Sequence, residues 1–217
     1  MNETTSHVDP ADPRADAYAF DISGGDLALD FANTVSGRKR NVVDEHLDRY
    51  GRLVSWARQV KMIGEPEAQR LREQAGRHPR AAAAALRQAI AIRDAIFAAF
   101  SAIAAGRRAP AEAIDALNAA LPEALAALRI VPERGGFTLK FSGAGNDLES
   151  VIHPVVRAAS ELLTSEQRTR VRECGSDTCA WLFLDRSKNA TRRWCDMKVC
   201  GNRAKARRHY QKEKRSR

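Results

Sequence analysis

All four cysteines of this 217-residue chain fall within one short stretch, as Cys174, Cys179, Cys195 and Cys200. The pattern is Cys-x4-Cys, fifteen residues, then Cys-x4-Cys. Two close pairs separated by a hairpin-length gap let two turns present four thiolates to one ion. A structural zinc takes four ligands in a tetrahedron, often all cysteine sulfur. The alternative, two disulfides, suits short secreted chains with cysteines spread throughout. Met1 to Asp16 is polar and acidic, without the apolar segment of a secretory signal. A cytoplasmic chain with reduced thiols is therefore expected. Four sulfurs also close the site, whereas a catalytic zinc keeps one position for water. The expected metal is a single structural Zn²⁺.

Between the pairs, Ala180 to Leu184 is rich in aromatic and aliphatic residues and reads as a short buried strand. Asp185 to Asn189 carries turn residues. The module is thus knuckle, hairpin, knuckle. A basic stretch of helical composition follows Cys200. A cysteine in a first helical turn is favoured as thiolate, because the amides at a helix start attract negative charge.

Cys200, Gly201, Asn202 and Arg203 spell the signature of the CGNR zinc-finger family, and the chain resembles it further at 183–187, 192–197 and 204–208. The resemblance implies a treble-clef-like module with Cys174, Cys179, Cys195 and Cys200 as zinc ligands, in a family of DNA-binding transcription regulators. One departure is Ala190, where a glycine is expected after Asn189. Upstream, residues 27–34 resemble the start of the ABATE domain of stress-induced transcription regulators, which commonly precedes CGNR fingers. That likeness extends through Leu53 and Trp56.

Charge divides the chain. Residues 165–217 carry 16 Lys/Arg against 6 Asp/Glu, while residues 1–164 carry 20 against 21. The net +9 thus belongs to the cysteine module, as expected of a surface that meets a polyanion. No run approaches the 18 or so consecutive apolar residues of a membrane span.

Three parts are expected: an arm at 1–17, a helical domain at 18–164 with a role as sensor or dimeriser, and the finger with its basic helix at 165–217. The fold class is mainly α with a small β-hairpin. The spacing of Leu27, Phe31 and Val35 predicts a short helix with one apolar face. Asp44 is expected to cap a helix from Glu45 to Met62, ended by Gly64. Pro66 opens the next, and Arg80–Ala105 forms a central helix packed on two sides. Pro110 starts another, which Pro122 is expected to interrupt. Segments 125–131 and 136–141 read as a hairpin, and Asp147 as the cap of a last domain helix kinked by Pro154. His153 reads as a surface or pocket-edge residue.

The last helix is expected to meet DNA through Asn202, Arg203, Lys205, Arg207, Arg208 and Lys212, with Arg192 and Arg193 adding contacts from the hairpin side; either of the last two is alternatively a salt-bridge partner of Asp185. Asn33, with Arg38 or Arg40, is a candidate small-ligand site; a homodimer is a further candidate assembly. No nucleophile elbow, phosphate loop or His-Glu-x-x-His motif occurs, and the five histidines are scattered. The chain is therefore read as a regulator and not an enzyme, cytoplasmic and nucleoid-associated. RNA binding and protein interaction are the alternatives for the zinc module, and an enzyme in the helical domain is a third alternative.

Overall fold

The computed structural model describes residues 18–40, 43–142 and 147–215, and excludes the side chains of Arg208, His209, Lys212 and Arg215. The expected arm at 1–17 lies outside the described residues. The first element is α1 (Leu27–Ala32), whose cap Asp26 accepts the Ala28 N–H at 2.9 Å. It is shorter than the periodicity predicts, and Ala28 through Ala32 are all buried. Neighbours pack on every side of it, so no polar face survives. Val35 instead enters β1 (Val35–Ser36), paired antiparallel with β2 (Asp44–Glu45).

The pairing of β2 displaces the expected helix start. Glu45 accepts the Leu47 N–H at 2.8 Å and pairs with the buried Arg93 guanidinium at 2.6 Å. Those partners hold the segment extended, and α2 (Tyr50–Gln59) begins only afterwards. It ends before Gly64, through Lys61 at φ 60 and a Met62 N–H to Ala57 carbonyl bond of 2.9 Å. That six-to-one closure is the Schellman geometry, which usually employs glycine. Gly64 caps α3 (Glu65–Arg77), with Pro66 in its first turn as expected.

The central helix α4 (Pro79–Ala104) matches its expected span. Alanines 82, 85, 89, 95 and 99 are buried along it, and their small side chains let neighbouring helices approach closely. The next helix, α5 (Ala111–Ala126), continues through Pro122 without interruption. The carbonyl left without a donor belongs to Asn118, which is exposed, so water can satisfy it. Leu117 and Ala124 are buried on either side. The hairpin of β3 (Leu128–Glu133) and β4 (Gly136–Phe141) therefore starts later than predicted. One 3₁₀ turn leads into α6 (His153–Thr164), where Pro154 sits in the first turn and needs no N–H. His153 is buried, not at the surface, with its Nδ1 unpartnered.

Last come β5 (Val171–Glu173), its antiparallel partner β6 (Leu182–Leu184), a π turn at Met197–Gly201 and α7 (Asn202–Arg215). Val171, Leu182 and Leu184 belong to the same core as Phe31, Trp56 and Phe100. The cysteine module is thus docked, not tethered.

Polar groups set the angle of docking. The Asn33 Nδ2 donates to the Leu182 carbonyl at 2.9 Å, and its Oδ1 accepts the Leu182 N–H at 2.9 Å. The Leu184 N–H donates to the Gly24 carbonyl at 2.7 Å, and Arg186 reaches the Gly25 carbonyl at 2.9 Å. The turn before α1 so acts as an extra edge to β6. Gly24 must be glycine: a Cβ would stand 2.8 Å from the Asp30 amide nitrogen. Trp181 Nε1 donates to the Val35 carbonyl at 2.9 Å, and Lys39 pairs with Glu173 at 2.8 Å. No helix among the described residues is long and apolar enough to cross a membrane.

Two outcomes are expected. Asn33→Ala leaves a buried N–H and a buried carbonyl of Leu182 unpaired, a loss of about 2–4 kcal/mol in urea denaturation; a loss below about 0.5 kcal/mol would show that the clamp is not structural. Burial pushes the Asp30 carboxyl up to about 6, opposed in part by the Gly24 N–H. A raised carboxyl binds its proton more tightly folded than unfolded, so its contribution is complete below the ordinary value of 3.8 and fades as pH rises through about 6. Asp30→Asn keeps an oxygen for Gly24 and should abolish that fall in melting experiments across the window; an unchanged pH profile would contradict it.

Candidate metal centre and basic helix

Two knuckles build the cysteine cluster. In the first, the Cys174 N–H donates to the Trp181 carbonyl at 2.8 Å and the Gly175 N–H to the Arg193 carbonyl at 2.9 Å. The second is shaped by Asp196, which accepts the Val199 N–H at 2.8 Å and opens the π turn. Gly201 lies under Met197 and Trp194, whose Cδ1 would be 3.2 Å from any Cβ there. A side chain at 201 would push the turn away from Cys200.

The four Sγ atoms all lie within 4.8 Å of one another. Cys179 to Cys195 measures 3.8 Å and Cys195 to Cys200 3.7 Å. A tetrahedron with Zn–S bonds of ~2.3 Å has edges of ~3.8 Å, so the cluster fits one tetrahedral ion. Cys174, Cys195 and Cys200 are buried and Cys179 is half-buried. Without a cation the thiols compete for one negative charge. Hydrogen bonds from Cys179 and Cys195 hold Cys174 below the usual thiol range. The same bond to Cys174 raises Cys179 and Cys195, while burial raises Cys200. A divalent ion removes that competition by deprotonating all of its ligands.

The hairpin between the knuckles is held by a buried acid. Asp185 accepts the Ser187 N–H and the Arg192 N–H, each at 2.9 Å. Burial opposes its ionisation, yet hydrogen bonds from Ser187 and Arg192 keep its carboxyl below the ordinary value. In place of the alternative salt bridge, Asp185 is bonded to the Arg192 backbone amide. The Arg192 guanidinium faces elsewhere, donating to the carbonyls of Trp194, at 2.8 Å, and Cys195. It also lies 4.5 Å over the Phe183 ring. Arg193 is exposed, 5.5 Å over Trp194. Ala190 has φ 50, the left-handed region where the sequence invites a glycine.

Along α7, Asn202, Arg203 and Lys205 are exposed. Arg203 reaches Thr178 at 3.5 Å and Arg207 pairs with Asp177, so the helix leans on the first knuckle. Arg208 and Lys212 lie on α7, but their side chains are outside the described residues.

The three candidate ligand residues face different ways. Both polar ends of the Asn33 carboxamide are bonded to Leu182. Arg38 pairs with Asp94 at 2.7 Å and covers Phe97 at 4.0 Å. Arg40 pairs with Asp44 at 2.9 Å and borders a cleft of about 190 Å³ that also meets Cys179, Trp181 and Arg203. Sequence reasoning missed Lys39, Trp181 Nε1 and Gly24 as docking groups. The adjacency of Trp181 to a knuckle was the available signal; nothing marked Lys39.

Family models match two stretches of the chain: ABATE, described as "Putative stress-induced transcription regulator", at residues 25–166, and the CGNR zinc finger at residues 170–213. A search of the curated proteins finds no match. The four cysteines are positioned for one ion, in keeping with a single structural zinc.

Purified protein should carry one zinc per chain by elemental analysis, and Cys200→Ser should lose it together with the helical signal of α7; full metal content in that variant would contradict the ligand set. Ala190→Gly should stabilise the zinc-loaded protein by about 0.5–1 kcal/mol, since only the non-glycine residue is strained at positive φ. A destabilised variant would mean that the Ala190 methyl makes a contact worth more than the strain.

Proposed function

The chain belongs to the ABATE family and carries a CGNR zinc finger, and on that premise we propose that it is a regulator whose finger binds duplex DNA. The observation that carries the reading is α7 itself. It extends from the metal centre with exposed Asn202, Arg203 and Lys205, and most of the chain's excess positive charge lies in this module. Arg193, Lys205, Arg207, Arg208 and Lys212 are assigned to phosphates, which position a protein without reading sequence. Asn202 and Arg203 are assigned to base edges, because Asn matches adenine and Arg matches guanine through two-point hydrogen bonds. Arg192 then contributes by holding the second knuckle through the Trp194 and Cys195 carbonyls, with at most a secondary phosphate contact.

Duplex DNA is favoured over single-stranded RNA by the state of the aromatics. Base stacking needs exposed rings, but Trp181 and Trp194 are both half-buried and Trp181 is tied to Val35, which leaves Tyr210, 67% exposed on α7, as the module's one exposed ring among the described residues. The helical domain is assigned the sensing or dimerising role, with signals passing through the docked face of α1. A small ligand near Arg40 would sit beside Cys179 and Arg203 and could change the pose of α7. A nucleoid location follows from DNA binding. Both matched families are regulatory or zinc-finger types, which supports a role without catalysis.

Fluorescence anisotropy with duplex DNA, duplex RNA and single strands at two salt concentrations tests the proposal. Log affinity for duplex DNA should fall with log salt at a slope near −5 if ~6 phosphates are neutralised. Arg203→Ala with Lys205→Ala should lower affinity by at least ~10-fold and flatten the slope by about 1. Zinc-loaded protein indifferent to DNA at low salt, or an unchanged slope in the double variant, would defeat it.

A further inference from the structure

The hairpin of β3 and β4 carries the largest exposed apolar side chains of the described helical domain. Its register pairs Leu128 with Phe141, Ile130 with Leu139 and Pro132 with Phe137. Cross-strand partners share a face, so these six apolar residues form one side of the ribbon. Ile130 is 73% exposed, Phe137 78% and Leu139 45%. A two-stranded ribbon is marginal in water by itself, and this one presents its apolar side to solvent.

The two edges differ. The Ser142 N–H bonds the Ala127 carbonyl at 2.7 Å, which fixes the phase of the ladder. Hydrogen-bonded pairs then alternate through Arg129/Lys140 and Val131/Thr138. The backbone groups of Leu128, Ile130 and Pro132 on β3, and of Phe137, Leu139 and Phe141 on β4, consequently point outward. Pro132 has no N–H, which blunts the β3 edge. The β4 edge has no such block, and no backbone hydrogen bond reaches it among the described residues.

We propose that β4 pairs antiparallel with β4 of a second copy of this chain, forming a four-stranded sheet across a two-fold axis at Leu139. The inference is independent of DNA binding. In that register Leu139 faces its own counterpart, and Phe137 faces the partner's Phe141. All three have outward N–H and carbonyl groups, so an antiparallel ladder of up to about six hydrogen bonds closes. Lys140, the one charge on β4, faces the partner's Thr138 and not another lysine. Self-pairing therefore sets the two apolar sides next to each other on one face of the sheet with no like charges opposed, which is the argument for a second copy over an unrelated strand. The apolar face also borders an open trough of about 600 Å³ lined by Ile130, Phe137, Leu139 and Arg157, beside the place that the partner's Phe141 takes in this register. Side chains alone are too few. They offer roughly 400 Å² per copy, against the ~800 Å² that a stable complex buries per partner. Strand pairing supplies the remainder, and the dimer is expected to be reversible.

Sedimentation of the zinc-loaded full chain, without nucleic acid, reads the outcome. Wild-type protein at up to about 100 µM should approach twice the 23.9 kDa of one chain. Leu139→Lys, which sets two lysines opposite each other, should return a monomer with unchanged circular dichroism and metal content. Phe137→Ser alters only a largely exposed side chain and should raise the dissociation constant at least ~10-fold. Amide exchange at Phe137 and Leu139 should slow with concentration in the wild type. A monomer at every concentration overturns the proposal and leaves the face to a different protein. A dimer that survives both substitutions, or one whose Phe137 and Leu139 amides stay fast, overturns it by placing the contact elsewhere.

Discussion

Four sulfur atoms that all lie within 4.8 Å of one another form a cluster that cannot hold its charge alone. Ionised together, the thiols repel; protonated, they leave buried Sγ atoms sharing one another's hydrogens. One divalent ion resolves the conflict, and the 3.7 and 3.8 Å separations already have the size of a tetrahedral edge. Within the module itself, little else fixes the two knuckles. Its own strands are three residues each, and its private apolar cluster is Phe183, Trp181 and Trp194 with the cysteines. In zinc-finger peptides the ion supplies on the order of 10 kcal/mol of folding energy, a scale that so small a cluster does not reach by burial.

A metal knot would still swing freely if only a linker held it. Here β6 is bonded on the α1 side by Asn33 and Gly24, while its Leu182 and Leu184 side chains enter the helical core. The polar bonds choose the angle and the apolar contacts supply most of the stabilisation. The direction of α7 is thereby set relative to the helical domain, through β6, the knuckles and the π turn. Movement of α1 would be passed to the finger, and the Arg40 cleft lies along that same joint. Two bodies that share a core have few independent ways to move, so the helical part and the cysteine module are mechanically joined.

Much of this was legible in the sequence, and the division has causes. The cysteine spacing identified the site because metal coordination is strict about donor number and reach. The span of α4 was readable because its periodicity is long and its end carries Gly106, at φ 68. What failed was local propensity in competition with distant partners. Asp44 looks like a helix cap until Arg93 draws Glu45 into a strand. Pro122 looks like a breaker until one sees that the carbonyl it orphans faces water. Asn33 attracted a ligand hypothesis because it is polar in an apolar segment; its partner stands 149 residues away on β6. No pattern within a window of sequence contains that pairing. Ala190 is the reverse case, a departure visible in the chain that the backbone bears out as positive φ.

Family membership, charge and the metal cluster converge on a zinc-binding regulator. Everything proposed for α7 depends on the sulfur cluster closing around a single ion with no vacant position. X-ray absorption at the zinc edge of the purified protein measures that directly. One shell of four sulfurs at ~2.3 Å, with no lighter scatterer, is the expected result. A nitrogen or oxygen ligand in that shell, or fewer than four sulfurs, would contradict the closed site and the rigid launch of the basic helix with it.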